Sequence, residues 1–247
     1  MEGIVALWRR EIIRFFRSKS RLVGSLGMPF FFLAILGTGL NSALDLPTGS
    51  GYLQFIAPGI IAMVLMFGSM FSGITVIMDR QFGFLKETLV APINRLSVVL
   101  GKALGGATTA VIQGVIIMLV AVLLGSQIQP VNILLLLAFM FLISLMFVSL
   151  GIAIASTMTD MHGFQLIMNF LIMPLFFLSG ALFPLSSAPD LLKTASLFDP
   201  LTYGVSGLRY LLLGTAELDF NFSFLVIIGF TIGFLLLAIR QFNRIEG

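Results

Sequence analysis

The sequence is short of cysteine, histidine and charge, and each shortage excludes a class of chemistry. None of its 247 residues is cysteine, so it has no disulfide, thiolate metal site or thiol nucleophile. His162 is the only histidine, and with only Asp160 beside it neither a hydrolytic constellation nor a metal site is expected. No phosphate-cradling loop is present, because Gly101-Lys102 lacks both the upstream glycine and the following Ser or Thr. No cofactor is therefore expected in this chain. Charged residues make up 10% of the sequence and hydrophobic ones 58%, with a mean hydropathy of +1.09. Soluble domains lie far from these values.

What is there is a series of apolar runs of roughly 20 residues, too continuous for the alternating pattern of a membrane barrel strand and long enough for spanning helices. The fold class is an all-α integral membrane protein, one transmembrane domain over residues 1–247. Six spans are expected, at about 22–44, 54–78, 103–125, 132–157, 164–183 and 222–239. No Asp, Glu, Lys or Arg falls inside these runs, which argues against a transporter coupled to protons or ions through intramembrane charges. A membrane-embedded enzyme would need ionisable residues gathered at one face, and the sequence signals no such cluster.

Twelve of the fourteen Lys and Arg residues lie before the first run, between the second and third, or after the last. The positive-inside rule places both termini and residues 79–102 in the cytoplasm. The short loop at Asp160 and His162 carries no Lys or Arg and adds nothing to this count. A sequence pI near 9.6 therefore reflects topology, and nucleic acid is not an expected partner. Ile4, Leu7, Trp8, Ile12, Phe15 and Phe16 recur near helical spacing among Arg9, Arg10, Arg14 and Arg17. Residues 2–20 are expected to form an interfacial amphipathic helix in contact with membrane lipids, its arginines among their phosphates.

Residues 79–102 carry Asp79, Arg80, Lys86, Glu87, Arg95 and Lys102, charges expected to lie in water or against another protein. Phe82, Leu85 and Leu89 share a helical face, Pro92 breaks that helix, and Asn94 is placed to cap the next. Lys86 beside Glu87 is less uniformly basic than a lipid-bound face requires, so a cytoplasmic protein partner is the expected contact.

Residues 184–221 hold their own helix signals. Asp199-Pro200 reads as an N-cap and first helical residue with Gly214 as the stop, and a shorter helix is expected over Asp190–Leu197. Pro29, Pro58 and Pro174 are expected to bend their spans. Ser69, Ser72, Thr75, Gln113, Gln165, Asn169 and Ser179 are uncharged polar residues within the runs. They are expected to bond between helices, and all of these except Gln113 are candidates for lining a path. Gly101-x-x-x-Gly105 and Gly229-x-x-x-Gly233 are spaced for close helix approach.

Residues 52–104, YLQFIAPGIIAMVLMFGSMFSGITVIMDRQFGFLKETLVAPINRLSVVLGKAL, and the stretches MNFLIMPLFFLSGALFPLSSAP and LFDPLTYGVSGLRYLLLG within 168–214 resemble the permease subunits of ABC-2 type exporters. With the basic first helix, the likeness covers essentially the whole chain. One departure is LKETLVAP, where many relatives carry a second acidic residue near Glu87. The resemblance implies a pair of permeases, identical or related, each engaging a cytoplasmic ATPase that holds ATP and Mg. It also implies a coupling helix over Arg80–Ala91, with Arg80, Phe82, Leu85, Lys86, Glu87 and Leu89 as contact residues, and re-entrant helices over 184–213. Spans one, two and five would border the path. A secondary transporter or channel independent of ATP is the alternative.

Overall fold

The computed structural model describes residues 2–40, 51–84, 94–128 and 130–245, without the side chains of 19–22. Every regular element among them is helical. Helix α1 spans Glu2–Arg17 and α2 Lys19–Phe31, continued by a π-helical stretch, Phe32–Gly37. Pro29 lies within α2, and the amide of Phe32 reaches the carbonyls of both Met28 and Pro29. A proline removes one ladder bond, and the wider π turn behind it accommodates the defect. Next come α3 (Tyr52–Ser72) and α4 (Ile74–Gln81), joined at Gly73. They are followed by α5 (Arg95–Leu123), α6 (Ile133–Ser156) and α7 (Met161–Leu178). Two shorter helices, α8 (Asp190–Ser196) and α9 (Pro200–Leu213), precede α10 (Phe220–Asn243).

Among the described residues, five helical stretches are long and apolar enough to cross a membrane: Tyr52–Gln81, Arg95–Leu123, Ile133–Ser156, Met161–Leu178 and Phe220–Asn243. The first expected span is helical from Lys19 and apolar over Val23–Gly37, while residues 41–44 of it lie outside the described residues. α3 is the hub, buried along almost all of its length from Tyr52 to Met66 and packed on α5, α6 and α9. α6 packs along α10, and α1 lies along α5. The expected bends at Pro58 and Pro174 do not end their helices, since α3 and α7 run through them. α3 instead breaks at Gly73, where an added methyl would sit 2.5 Å from the backbone of Gly151 on α6. Close backbone approach, not proline, sets that boundary.

Most cap signals read from the sequence hold. Asn94 Oδ1 accepts the Leu96 amide at 3.1 Å, and Asp199 Oδ1 accepts the Leu201 amide at 2.9 Å. Gly214 closes α9 with φ of 72°, a conformation that favours glycine. Helix α8 ends at Ser196, one residue before the expected limit.

Candidate functional site

Around residues 79–102 the helices run past the apolar runs that reveal them. α4 continues past Met78 through Asp79 and Arg80 to Gln81, and α5 starts at Arg95, eight residues before the expected third span. Asp79 and Lys102 are thereby carried inside helices, and each is only 3% exposed. This corrects the expectation that they lie in water or against another protein. Lys102 Nζ forms a direct ion pair with Asp79 and reaches the hydroxyl and carbonyl oxygens of Thr75 at 3.3 and 3.4 Å.

Helix α1 completes the cluster. Arg10 Nη2 lies 2.9 Å from Asp79 Oδ1, Arg14 Nη1 lies 3.9 Å from the same oxygen, and Lys102 is 3.8 Å from Glu11, itself only 8% exposed. Two buried charges in a low-dielectric setting are costly unless paired and hydrogen-bonded. α1 adds further opposite charges around the Asp79–Lys102 pair, with Arg10 and Arg14 beside Asp79 and Glu11 beside Lys102. A cluster of ionisable groups therefore does exist at one end of the bundle, contrary to the sequence reading. Each charge in it faces an opposite one, so it clamps three helices together.

The clamp needs α1 to lie very close to α5. A methyl at Gly101 would sit 2.7 Å from Leu7 Cβ, and one at Gly105 would sit 2.6 Å from Glu11 Cβ. The Gly101-x-x-x-Gly105 spacing is thus the seat of α1, whereas added methyls at Gly229 and Gly233 meet nothing within 4 Å. Trp8 donates its indole N–H to Thr108 at 3.1 Å, and Leu7 and Phe15 are buried. Leu7 and Phe15, expected at the acyl boundary, dock on protein instead, so one face of α1 packs against the bundle. Val5, Ile13 and Phe16 remain exposed on the other.

The expected contact residues of the 79–102 connection divide. Arg80 belongs to the last turn of α4, and Phe82 caps it with 74% exposure. Gly83 turns the chain with φ of 76°, and Arg10 lies over the Phe84 ring at 3.6 Å. Leu85, Lys86, Glu87 and Leu89 lie outside the described residues. Arg95, at the start of α5, donates to the carbonyl of Asn243 at 2.8 Å. Both ends of the connection therefore sit at the end of the bundle that also carries α1 and the close of α10.

The candidate path residues do not form one set. Ser72 and Gln165 line a cavity of about 470 Å³ bounded by α1, α2, α3, α5 and α7. Thr75 is taken up by Lys102, and the Ser179 hydroxyl donates to the Phe176 carbonyl at 2.8 Å. Ser69 is buried, and Asn169 is exposed on α7. Gln113, a buried polar residue outside the candidate path set, also lines the cavity.

The opposite end of the bundle has its own buried charges, which residue counting passed over. Arg209 on α9 donates to the Gly180 carbonyl at 2.9 Å, lies 3.4 Å from Glu217, and covers the Phe55 ring at 4.1 Å. Burial pushes its pKa down while Glu217 opposes that shift. Asp199 is raised to about 7 by burial, against the bonds it accepts from Leu201 and Thr202. Asp160, by contrast, is lowered by the Gly163 and His162 amides it accepts at the start of α7. Among the described residues no group of His, Cys, Asp and Glu is arranged to hold a metal ion.

Long apolar helices around a buried hub, with an amphipathic first helix clamped to one end, define a multi-pass helical membrane protein. The sequence profile of ABC-2 type transporters matches residues 2–213. The chain is 32% identical to a putative transport permease, ycf38, of Cyanophora paradoxa over 85% of this chain and 74% of that one. It is 31% identical to nodulation protein J of Rhizobium leguminosarum bv. trifolii over 87% of this chain and 83% of that one. It is 25% identical to the inner membrane transport permease YadH of Escherichia coli K12 over 99% and 96% of the two chains. The chain belongs to the ABC-2 type transporter permease family.

Proposed function

We propose that this chain is the transmembrane subunit of an ATP-binding-cassette exporter. In this reading it spans the inner or plasma membrane six times, with both termini and residues 79–102 in the cytoplasm, and pairs with a second permease, identical or related. ATP and Mg are held by a separate cytoplasmic ATPase, which pushes on the segment following α4. Residues 184–221 face outward, with 184–213 as re-entrant helices at the outer gate. Ser69, Ser72, Thr75, Gln165, Asn169 and Ser179 are the candidates for contact with the substrate along the path.

The observation that carries this reading is the clamp around Asp79. It ties α1 and α5 to α4, one turn before the proposed ATPase contact. A push received there is transmitted to α3 and α5 together, because packed cores move as rigid units and not as continuously deformable ones.

The test is co-purification of the chain with its ATPase, followed by Leu85→Asp and Leu89→Asp. Both variants are expected to lose the complex and transport-linked ATP hydrolysis. Retention of both activities overturns the coupling assignment, and transport that persists without any ATPase favours a secondary transporter or channel.

A further inference from the structure

The cavity beside α1 is more than a gap in the packing. Its apolar side comes from α1, α2 and α3, with Phe15, Met28, Met63, Phe67 and Phe71, and Phe67 and Phe71 have ring centroids 6.3 Å apart. Its polar side is a seam of Ser72, Thr109 and Gln113. Gly106 and Gln113 both line it and are seven residues apart on α5, a rise of about 10 Å along the wall. Ser72 and Thr109 donate to their own helix carbonyls, at 2.7 and 2.9 Å, and keep lone pairs to accept further bonds.

Gln113 is the decisive residue. It is 5% exposed and makes no hydrogen bond among the described residues, and its Oε1 lies beside Gly68, which also lines the cavity. Its amide oxygen and nitrogen are not among the fully enclosed polar atoms, so they open on the cavity, where two donors and an acceptor meet no protein partner. The seam itself carries no charge. Glu11 and Arg14 also line the cavity; Glu11 Oε1 and Arg14 Nη1 have no hydrogen-bond partner, but the two charges are opposite and lie 3.8 Å from Lys102 and 3.9 Å from Asp79, so the lining carries no net charge. A charged ligand on the seam would be dehydrated opposite hydroxyl and amide groups with no counter-ion.

We infer that this cavity, within a single protomer, binds a neutral amphiphile. Its hydroxyl- or amide-bearing part lies along Ser72, Thr109 and Gln113, and its hydrocarbon part lies against Met28, Phe67 and Phe71. The volume is in the range of small-molecule sites. The site stands on this geometry alone; treating its occupant as cargo rests on the exporter reading.

The test uses the full chain in phosphatidylcholine nanodiscs, without ATPase, and an alkyl glucoside carrying a diazirine in its chain. Photolabelling is expected on peptides containing Met63–Ser72 and Thr109–Gln113. Unlabelled octyl glucoside should compete, and dodecyl sulfate and dodecyltrimethylammonium should compete at least tenfold less well, about the factor that 1.4 kcal/mol sets. Gln113→Leu is expected to weaken labelling about tenfold. Met28→Trp should weaken it strongly by taking up cavity volume, and this variant has room to fold, since Met28 lines the cavity and is 52% exposed. Labelling confined to the outer faces of α7 and α10, labelling undiminished by both variants, or equal competition by the charged amphiphiles overturns the assignment. Failure here leaves co-purification with the ATPase untouched, so the two readings fail separately.

Discussion

The two ends of this bundle bury charge in opposite ways. At the α1 end, Arg10, Glu11, Arg14, Asp79 and Lys102 come from three helices and meet ions of opposite sign. At the α9 end, Arg209 is held mainly by a carbonyl and an aromatic face, and Asp199 by backbone amides and a threonine. The first arrangement joins three helices through opposite charges, whereas at the second Asp199 caps its own helix and Arg209 reaches Gly180 and Phe55 through neutral groups, with Glu217 beside it at 3.4 Å. Loss of one ion should therefore be felt across the molecule at the first end and mostly in place at the second.

The largest effect is expected for Asp79→Ala, which strands Lys102 in a buried site and removes the partner of Arg10. Breaking a buried pair from one side costs about 3–5 kcal/mol. Unfolding in detergent would measure it, and the double variant Asp79→Leu/Lys102→Met should recover most of the loss. A double variant no better than the single would place the cost in packing and remove the contrast between the two ends.

Next is Gly105→Leu, which forces α1 from its seat at a cost of about 1–3 kcal/mol. It should expose α1 to proteolysis, whereas Gly229→Leu, at a glycine with open space around it, should leave the protease pattern unchanged. Arg209→Met removes a charged hydrogen bond to Gly180 and should cost about 1.5–3 kcal/mol, read as a lower midpoint of thermal unfolding with α1 still protected. Loss of α1 protection in this variant would show that the two ends are coupled.

A further effect, confined to one group, is a pH dependence at Asp199. Its folded pKa of about 7 lies above the ordinary carboxylate value. Between those values the folded state holds a proton that the unfolded state has released. Its contribution to stability is full below the ordinary carboxylate range and is lost as pH rises through about 7. Asp199→Asn should flatten a melting series taken from pH 5 to 8 while keeping the cap. An unchanged slope would place the titrating group elsewhere.

How much of this was legible in the sequence differs from residue to residue. The caps at Asn94 and Asp199 and the stop at Gly214 are local, since each depends on a side chain and the backbone a few residues away. Five of the six spans read by continuous hydropathy coincide with helices long and apolar enough to cross a membrane among the described residues, but the helices at Asp79 and Lys102 run past the apolar runs. A helix does not stop where charge begins when another helix can neutralise that charge, and Asp79 and Lys102 are the examples. Of the candidate path residues, Ser72 and Gln165 share a cavity, while Thr75 serves the clamp. Nothing in one-dimensional spacing distinguishes those outcomes.

The sequence by itself determined that this is a helical, multi-pass membrane protein, because apolar runs of spanning length leave the backbone no other way to pair its polar groups. It also carried the family likeness that the profile of ABC-2 type transporters bears out. Only the tertiary structure decided that Gly101 and Gly105 seat α1 and that Asp79 and Lys102 are buried with it. It alone gathered Ser72, Thr109 and Gln113 into one seam. Those facts depend on which faces of distant helices meet, and the energies that choose among faces are pairwise terms between residues far apart in the chain. The hydropathy of each run is a property of the run alone.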